Sequence, residues 1–381
     1  MLLISFIMKT RQLLLRVVLC TTLLLTSFTY AKTWRVNNQS NFDGASTFGD
    51  NLGGTPSLPV FKQIEQAVTY PNVVAGDTLH VEGSIEIYDR ADITKQLVII
   101  GPGYFLTENA NVSNNTLDAK VRRIDFKSGS EGSQLIGMNV ARSGSVSSYG
   151  VIYVNVNGVI IKRCRIEMYI RFATKLLDVY ILQNFFSNSY DTNALAGSGV
   201  SSFVPPQEII FNNNICQKRL IWSGNWGMGT ITECNNNVFD GPVNELSLEF
   251  NTGSFQNNIL KAAGIVANIN SGTNNNVQYN TVSNATVFEG TLGNVYVPNM
   301  VNLFIDEGRT TDGAYQLKAS STYNETGSDG AERGAFGGVA VSNRYNLSGL
   351  GAIPVIYRVA TPGVSEVDTG LSVTLKARTN N

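Results

Sequence analysis

The chain has 381 residues, of which 43% are hydrophobic, only 15% are charged, 41 are Asn and one is His. This charged fraction is well below the roughly 25% of ordinary soluble domains, and the formal net charge is −1. Together they exclude a charge-rich disordered chain, a coiled coil and a polybasic protein that binds nucleic acid. A single His also leaves little room for a His-built zinc site or for most catalytic triads.

The first predicted element is a secretory signal peptide over residues 1–31. Lys9, Arg11 and Arg16 precede an apolar stretch at residues 17–25, and Thr29-Tyr30-Ala31 forms a small-x-small cleavage site. The apolar stretch is short for a bilayer span, and no later segment approaches the required length. We therefore expect an exported chain that is periplasmic, secreted or on the cell surface. Its mature part is predicted to have no transmembrane segment.

Three cysteines follow the predicted signal peptide: Cys164, Cys216 and Cys234. In an exported protein an odd number means that at least one thiol stays unpaired. Burial as small apolar side chains is the expected role. Whether Cys216 and Cys234 form a disulfide is left open by their spacing.

A cap with one short helix is predicted for residues 32–76. Ser57 is a suitable N-cap, Pro59 lies in the first turn, and Val60, Ile64 and Val68 recur at helical spacing over residues 57–68. This segment lies just before a series of short β-type runs. We expect the helix to cover the open apolar end of those runs and their unpaired strand edge.

Residues 77–305 are predicted to form a solenoid, because a short motif recurs in them without intervening helices. The motif starts with Cys or Asn and has an apolar residue two positions later. Its copies start at Cys164, Asn184, Asn213, Asn236, Asn257 and Asn280. The intervals are 20, 29, 23, 21 and 23 residues, enough for a coil of three short strands with their turns.

The repeated Asn predicts both a corner and a ladder. Asn tolerates the left-handed conformation of tight corners. In parallel coils about 4.8 Å apart, equivalent Asn amides also come close enough to hydrogen-bond along the axis. We therefore expect one Asn per coil to serve both purposes. The predicted interior consists of Val159, Ile161, Val179, Ile181, Phe186, Ile215, Val238 and Ile259.

Several segments resemble those of secreted bacterial right-handed parallel β-helix proteins of the pectin-lyase-like type. They are GDTL at residues 76–79, IIGPGYF at 99–105, the Asn-x-apolar coils, DGAYQLK at 312–318 and GAFGG at 334–338. The resemblance spans roughly residues 33–350 and implies an all-β right-handed parallel β-helix with an N-terminal capping helix. For the hydrolases of this fold it would imply Gly-His-Gly and Arg-Ile-Lys motifs, which this chain lacks. For the lyases it would imply a calcium-binding carboxylate cluster, and no acidic doublet occurs in the central coils. No cofactor or metal is expected.

Two sets of residues are candidates for catalysis. Glu208 and Glu233 are predicted to share one sheet face about 8 Å apart, within the ~6.5–9.5 Å of an inverting glycosidase pair. Arg163 and Arg165, together with Lys162, form a basic cluster that suits an acidic polysaccharide or a lyase base. Solvated charges on a sheet face, which need no function, are the favoured interpretation of both sets.

Trp222 and Trp226 are the candidate ligand-binding residues. They lie in a Gly-rich stretch between coils, and exposed Trp rings suit the apolar faces of sugars. Packing of a long turn against the solenoid is the alternative. The sequence thus favours a non-enzymatic scaffold that binds a polysaccharide or cell-surface glycan. A polysaccharide lyase or glycoside hydrolase is the second hypothesis.

The C-terminal part is predicted in two segments. Residues 306–350 are rich in Gly, Ser, Thr and Asp and predict irregular turns with a terminal coil. Asp306, Asp312 and Asp329 lack the spacing of a calcium loop, which favours turn formation. Residues 351–381 predict two strands, which would cap the last coil or pair with a partner chain.

Overall fold

The chain winds through three β-sheets and adds short parallel strands to them with successive coils. The computed structural model describes residues 31–39, 54–55, 58–109, 112–144, 149–173, 176–190, 193–197, 204–205, 208–224, 227–272, 276–288, 292–305, 311–361 and 371–379. Residues 1–30 of the predicted signal peptide, Ser57, Trp226 and Asp306 lie outside these ranges.

The strands belong to three parallel sheets and two hairpins. Sheet A has 13 strands: Thr33–Val36, Val60–Phe61, Thr78–Val81, Val98–Ile100, Gln134–Ile136, Ile160–Lys162, Val179–Leu182, Ile209–Asn212, Leu220–Ile221, Thr230–Glu233, Leu246–Gln256, Val266–Asn270 and Val277–Gln278. Sheet B has five: Ala91–Ile93, Arg123–Phe126, Val151–Val154, Ile170–Phe172 and Leu195–Ala196. Sheet C has nine: Lys120–Val121, Asn139–Val140, Arg165–Ile166, Phe185–Phe186, Ile215–Cys216, Val238–Phe239, Ile259–Leu260, Thr281–Val282 and Val295–Tyr296. The hairpins are Ser223–Gly224 with Gly227–Met228 and Val355–Ala360 with Thr374–Arg378.

A central coil passes through sheets B, A and C in that order. In one coil the three strands are Val151–Val154, Ile160–Lys162 and Arg165–Ile166, and each pairs in parallel with strands of the coils before and after it. Crossovers between parallel strands are overwhelmingly right-handed in proteins. The predicted fold class is confirmed: an all-β parallel β-helix with an N-terminal helix and a C-terminal β extension.

Helix α1, Ile64–Thr69, is shorter than the predicted helix at 57–68. Val60 and Phe61 instead form a strand that pairs with Arg35 and Val36 at the end of sheet A. A capping box between Gln63 and Gln66 then starts the helix. Of the predicted apolar face, Ile64, Ala67 and Val68 are confirmed as buried in the main core, whereas Val60 lies in the strand.

A continuous ladder of buried Asn side chains runs along the corner between sheets A and C. Its members are Asn184, Asn214, Asn237, Asn258 and Asn280, and Asn294 ends it. Each Nδ2 donates to the next Oδ1 at 3.0–3.2 Å and to a backbone carbonyl at 2.8–3.0 Å. From Asn214 onward each Oδ1 also accepts the backbone N–H of the preceding ladder residue at 2.7–2.9 Å. The amide groups in the middle of the ladder therefore make all four hydrogen bonds available to them.

The prediction that one Asn serves both the corner and the ladder was wrong. The residue before each ladder position takes the left-handed conformation, with φ between 55° and 58°. These corner residues are Arg163, Gln183, Asn213, Asn236, Asn257 and Tyr279. The motif copies predicted to start at Asn213, Asn236 and Asn257 therefore start one residue later, at Asn214, Asn237 and Asn258. One residue turns the chain while the next points its amide into the interior.

The same one-residue offset affects part of the predicted interior. Val159, Ile161, Val179, Ile181 and Phe186 are confirmed as members of the main core. The remaining predicted members, Ile215, Val238 and Ile259, are buried on the outer face of sheet C instead. Their neighbours Cys216, Phe239 and Leu260 point inward. Successive strand residues face opposite sides, so a shift of one residue exchanges the faces.

Residues 311–350, here called the strap, cover the outer face of sheet C. Tyr315, Leu317, Ala335 and Tyr345 of the strap belong to one buried apolar cluster with Phe185 and Ile215 of the sheet. The described strap contains the 3₁₀ turns Asp312–Tyr315, Val341–Asn343 and Leu347–Gly349. It therefore encloses a second core outside the coils.

The corner residues fix the strap to the coils with their side chains. Arg163 donates to the Leu350 carbonyl at 3.1 Å, and Gln183 donates to the Ser342 carbonyl at 2.8 Å. Asn213 donates to the carbonyls of residues 335 and 337, both at 2.9 Å, and Asn257 donates to the hydroxyl of residue 328 at 3.0 Å. From residue 328 onward, later coils thus hold earlier parts of the strap, so this part of the strap runs back along the solenoid.

A buried network joins the strap to the loop at residues 104–109. The Asp312 carboxylate accepts hydrogen bonds from Asn109 Nδ2 at 2.7 Å, from the Ser348 N–H at 2.5 Å and from the Tyr345 hydroxyl at 3.2 Å. The Tyr345 and Tyr104 hydroxyls lie 2.5 Å apart. Burial raises the pKa of Asp312 to about 6 despite these donors.

The two C-terminal strands form the antiparallel hairpin Val355–Ala360 with Thr374–Arg378. It does not cap the last coil. Asn114 N–H donates to the Ile356 carbonyl at 2.8 Å, and Arg378 Nη2 lies 3.5 Å from the Val112 carbonyl. The hairpin therefore lies beside residues 112–114, in the early part of the chain.

Candidate functional site

Glu208 and Glu233 lie on neighbouring coils, but their carboxylates form hydrogen bonds with different residues. Glu233 pairs with Ile210 on the outer face of sheet A, one coil along and two residues beyond Glu208. Its Oε2 accepts a hydrogen bond from Asn212 at 3.0 Å. Glu208 is fully exposed and hydrogen-bonded to Asp178 of the preceding coil, and that bond and the Asp178 charge raise the pKa of Glu208. The carboxylate in contact with Glu208 is thus Asp178.

The basic candidates point to different surfaces. Arg163 is 4% exposed beneath the strap, and this burial lowers its pKa. Arg165 is ion-paired to Glu167 at 3.3 Å, and its guanidinium lies 5.2 Å from the centre of the Phe105 ring. Lys162 lies on the outer face of sheet A, where burial, and then the Arg163 charge, lowers its pKa. The sequence cluster does not form one basic patch.

Trp222 offers no ring face to a ligand. It is 1% exposed, and its ring contacts Phe172 edge-on at 5.5 Å between centroids in the main core. Trp226 lies outside the described residues. The packing alternative therefore applies to Trp222, and its ring is not available to a glycan.

A groove on the outer face of sheet A combines aromatic, aliphatic, amide and cationic groups. It has a volume of about 200 Å³ and one wall formed by the strap. Its lining, here called the sheet A groove, includes Lys162, Tyr180, Leu182, Ile210, Asn212 and Asn343. Tyr180 pairs in register with Ile160 and Ile210, so the ring lies between aliphatic side chains of the neighbouring coils.

The polar side of this groove is fixed by hydrogen bonds. Asn212 donates to Glu233 and accepts the Asn235 N–H at 2.7 Å, while Gln183 holds the strap at residue 342. Lys162 has no ion-pair partner among the described residues. Apolar walls with a few oriented polar groups are typical of small-ligand sites.

The cysteines are structural. Cys164, Cys216 and Cys234 are free and buried, so no disulfide joins Cys216 to Cys234. Burial raises the pKa of Cys164 and of Cys216 to about 12, which makes both thiols poor nucleophiles. Cys164 also begins the ladder, since its N–H donates to Asn184 Oδ1 at 2.9 Å.

Within the described part of the chain, no His, Cys, Asp and Glu side chains form a cluster of three or more that would hold a metal ion. The helices found there are all too short or too polar to cross a lipid bilayer. No family model, curated protein or solved structure matches this chain.

The sequence did not single out Tyr180, Asn212 or Asp178 as site residues. Tyr180 and Asn212 alternate with buried Ile181 and Phe211, so they occupy outward positions in their strands. The sequence alone shows this alternation, but only the strand pairing in the structure shows that Tyr180 and Asn212 lie side by side. The sequence could not predict the strap wall, because the strap reaches the groove from more than a hundred residues further along the chain.

Proposed function

We propose that this chain is an exported, non-enzymatic β-helix scaffold, secreted or on the cell surface, that binds a glycan in the sheet A groove. The observation that carries the proposal is the groove itself: Tyr180 between Ile160 and Ile210, with Lys162 and Asn212 beside it. Sugar rings have apolar C–H faces and polar edges, and this lining offers contacts to both.

The cation favours a particular glycan class. Lys162 brings an ammonium group to a lining that otherwise consists of aliphatic side chains, amides and a Tyr. An acidic sugar unit would pair its carboxylate with this group, and its ring would pack on Tyr180. We therefore expect acidic polysaccharides to bind more tightly than neutral ones, with an affinity that falls as salt is added.

The state of the charged candidates supports a scaffold rather than an enzyme. Arg163 is buried and bonded to the strap, and Arg165 is paired with Glu167. Glu233 is held by Asn212 at the edge of the groove. These groups serve the fold or the groove wall, and none of them is directed at a common reacting atom.

A panel of acidic and neutral polysaccharides tests the proposal by pull-down and calorimetry. Tyr180→Ala and Lys162→Gln are expected to weaken binding by about tenfold each, as expected for losing a stacking or charge contact. Tyr296→Ala is the matched control, because Tyr296 is 50% exposed on the last strand of sheet C. Absence of binding, or equal loss in the control, would contradict the proposal.

A polysaccharide-cleaving enzyme is the second candidate, favoured by the raised pKa of Glu208 through its bond to Asp178. A carboxylic acid with a raised pKa suits a general acid, and Glu233 lies one coil and two residues away. New reducing ends or unsaturated products from the same panel, lost in both Glu208→Gln and Glu233→Gln, would establish this function instead.

A further inference from the structure

A second cavity, of about 210 Å³, opens where three successive coils leave sheet C. The strands Phe185–Phe186, Ile215–Cys216 and Val238–Phe239 end there, and the residues that follow them line the cavity. We call it the turn pocket; its lining includes Asn188, Tyr190, Gln217, Lys218, Asp240 and Pro242. Its volume is that of about seven water molecules, so it suits one small ligand.

The polar lining of the turn pocket is rigidly held. Lys218 is 2% exposed and donates from Nζ to the Tyr190 carbonyl at 2.5 Å. Gln217 is 9% exposed; its Nε2 donates to the Tyr315 hydroxyl at 2.7 Å, and its Oε1 accepts the Asn188 N–H at 3.1 Å. The strap thus supplies Tyr315 as a support for the pocket. Such fixed polar groups would bind a ligand without first having to be ordered.

Asp240 presents an open acceptor. Its Oδ2 accepts hydrogen bonds both from Lys261 Nζ at 2.6 Å and from the Tyr315 hydroxyl at 2.8 Å. Its Oδ1 accepts no hydrogen bond from the residues that the structure describes. A carboxylate oxygen has two lone pairs, so Oδ1 can accept two ligand hydroxyls.

The charges around the pocket indicate the class of ligand. Lys261 balances Asp240, so the carboxylate does not require a cationic ligand. The open Oδ1 of Asp240 requires a donor group, which an anionic oxygen cannot supply, although Lys218 lies in the same lining. A neutral molecule with several hydroxyls is compatible with both charged residues of the lining, Asp240 and Lys218. Pro242 and the Tyr190 ring, whose centroid lies 4.5 Å from the Arg142 guanidinium, add apolar surface for the C–H face of a ring.

We propose that the turn pocket binds a single neutral sugar unit, with vicinal hydroxyls donating to Asp240 Oδ1 and the ring packed between Tyr190 and Pro242. This site is separate from the sheet A groove and does not depend on the groove's function. It gives the scaffold a subsite for a terminal residue or a free monosaccharide.

Free glucose, galactose, mannose and N-acetylglucosamine are the probes, followed by saturation-transfer NMR and calorimetry on the whole protein. At least one sugar is expected to bind the wild type. Asp240→Asn should weaken that binding at least tenfold. Asn188→Trp should abolish it by filling the pocket, because the Asn188 side chain is not needed for the Gln217 contact, which uses the Asn188 backbone.

Two variants distinguish binding in the turn pocket from binding in the sheet A groove. Tyr180→Ala should leave monosaccharide binding unchanged, while Asn188→Trp should leave polysaccharide binding in the groove unchanged. Circular dichroism checks that each variant is folded, and Asn188→Trp decides the matter if Asp240→Asn does not fold. Absence of sugar binding to the wild type, or persistence of binding in Asn188→Trp, would overturn the proposal. Binding of free amino acids or inorganic phosphate in place of sugars would overturn the ligand class.

Discussion

Replacing Asn237 with Leu removes one member of the ladder while nearly preserving the shape of the side chain. Asn237 is fully buried, and its side chain makes four hydrogen bonds to nitrogen and oxygen atoms besides a longer contact with Cys234 Sγ at 3.6 Å. Its Oδ1 accepts from the backbone N–H and Nδ2 of Asn214, and its Nδ2 donates to the Phe211 carbonyl and to Asn258 Oδ1. Asn258 Oδ1 retains the Asn237 N–H as a donor in the variant.

The expected loss follows from the groups left without partners. Three buried groups lose a hydrogen bond that nothing replaces: the Asn214 N–H, one Nδ2 hydrogen of Asn214 and the Phe211 carbonyl. Leaving a buried polar group unsatisfied costs about 1–3 kcal/mol. With the lower half of that range, to allow for local relaxation, Asn237→Leu should lower the free energy of unfolding by about 3–6 kcal/mol.

Urea denaturation followed by circular dichroism and Trp fluorescence measures this loss. Asn72→Leu is the matched control, because Asn72 is exposed just after helix α1 and should change stability by less than about 0.5 kcal/mol. Asn294→Leu should fall between the two, since Asn294 is only half-buried at the end of the ladder. Equal losses in Asn237→Leu and Asn72→Leu would refute the view that ladder hydrogen bonds stabilise the coils.

Three further predictions concern the strap and the core. Because burial raises the pKa of Asp312 from 3.8 to about 6, its contribution to stability is fully present below pH 4 and lost as the pH rises through 6. The free energy of unfolding should therefore fall by about 3 kcal/mol between pH 4 and pH 7. Asp312→Asn should remove this pH dependence, whereas the control Asp329→Asn should leave it unchanged. Asn213→Gly keeps the left-handed corner but removes the hydrogen bonds to two strap carbonyls, so limited proteolysis should cut the strap faster. An unchanged cleavage rate would show that these hydrogen bonds do not hold the strap on the coils. Trp222→Ala should lower the free energy of unfolding by about 3–5 kcal/mol and leave glycan binding intact; a stable variant that no longer binds glycan would contradict its role in the core.

The sequence was sufficient to predict the architecture because the repeated Asn has a specific chemical use. An amide donates to and accepts from an identical neighbour one coil away and still has a second donor and a second acceptor site for the backbone. Asn184 and Asn280 could therefore be recognised at their correct positions. Where two or three Asn are consecutive, as at residues 212–214, the sequence does not say which one is the ladder member.

The strands of sheet C are too short to reveal which face is buried. Ile215 and Cys216 are both apolar, and two residues cannot display an alternating pattern. The strap makes the distinction harder still, because it buries the outer face that would otherwise be polar. Its contacts are also remote in sequence: Tyr104 and Tyr345 are separated by 241 positions. The sequence left the role of Trp222 open between packing and ligand binding because its partner Phe172 is likewise remote, two coils earlier.

The direction of the strap has a consequence for the order in which the molecule can be completed. Coils can stack one after another as the chain emerges from the ribosome, because each contacts only its neighbours. The outer face of sheet C stays bare until residues 311–350 have been made, and the loop at 104–109 receives partners from both ends of this segment, at Asp312 and at Tyr345 and Ser348. Synthesis therefore passes through a stage in which most of the solenoid is present with a long apolar side open to solvent. A chain truncated before the strap should be arrested at that stage, and its apolar side would be available to other partly made copies or to a chaperone.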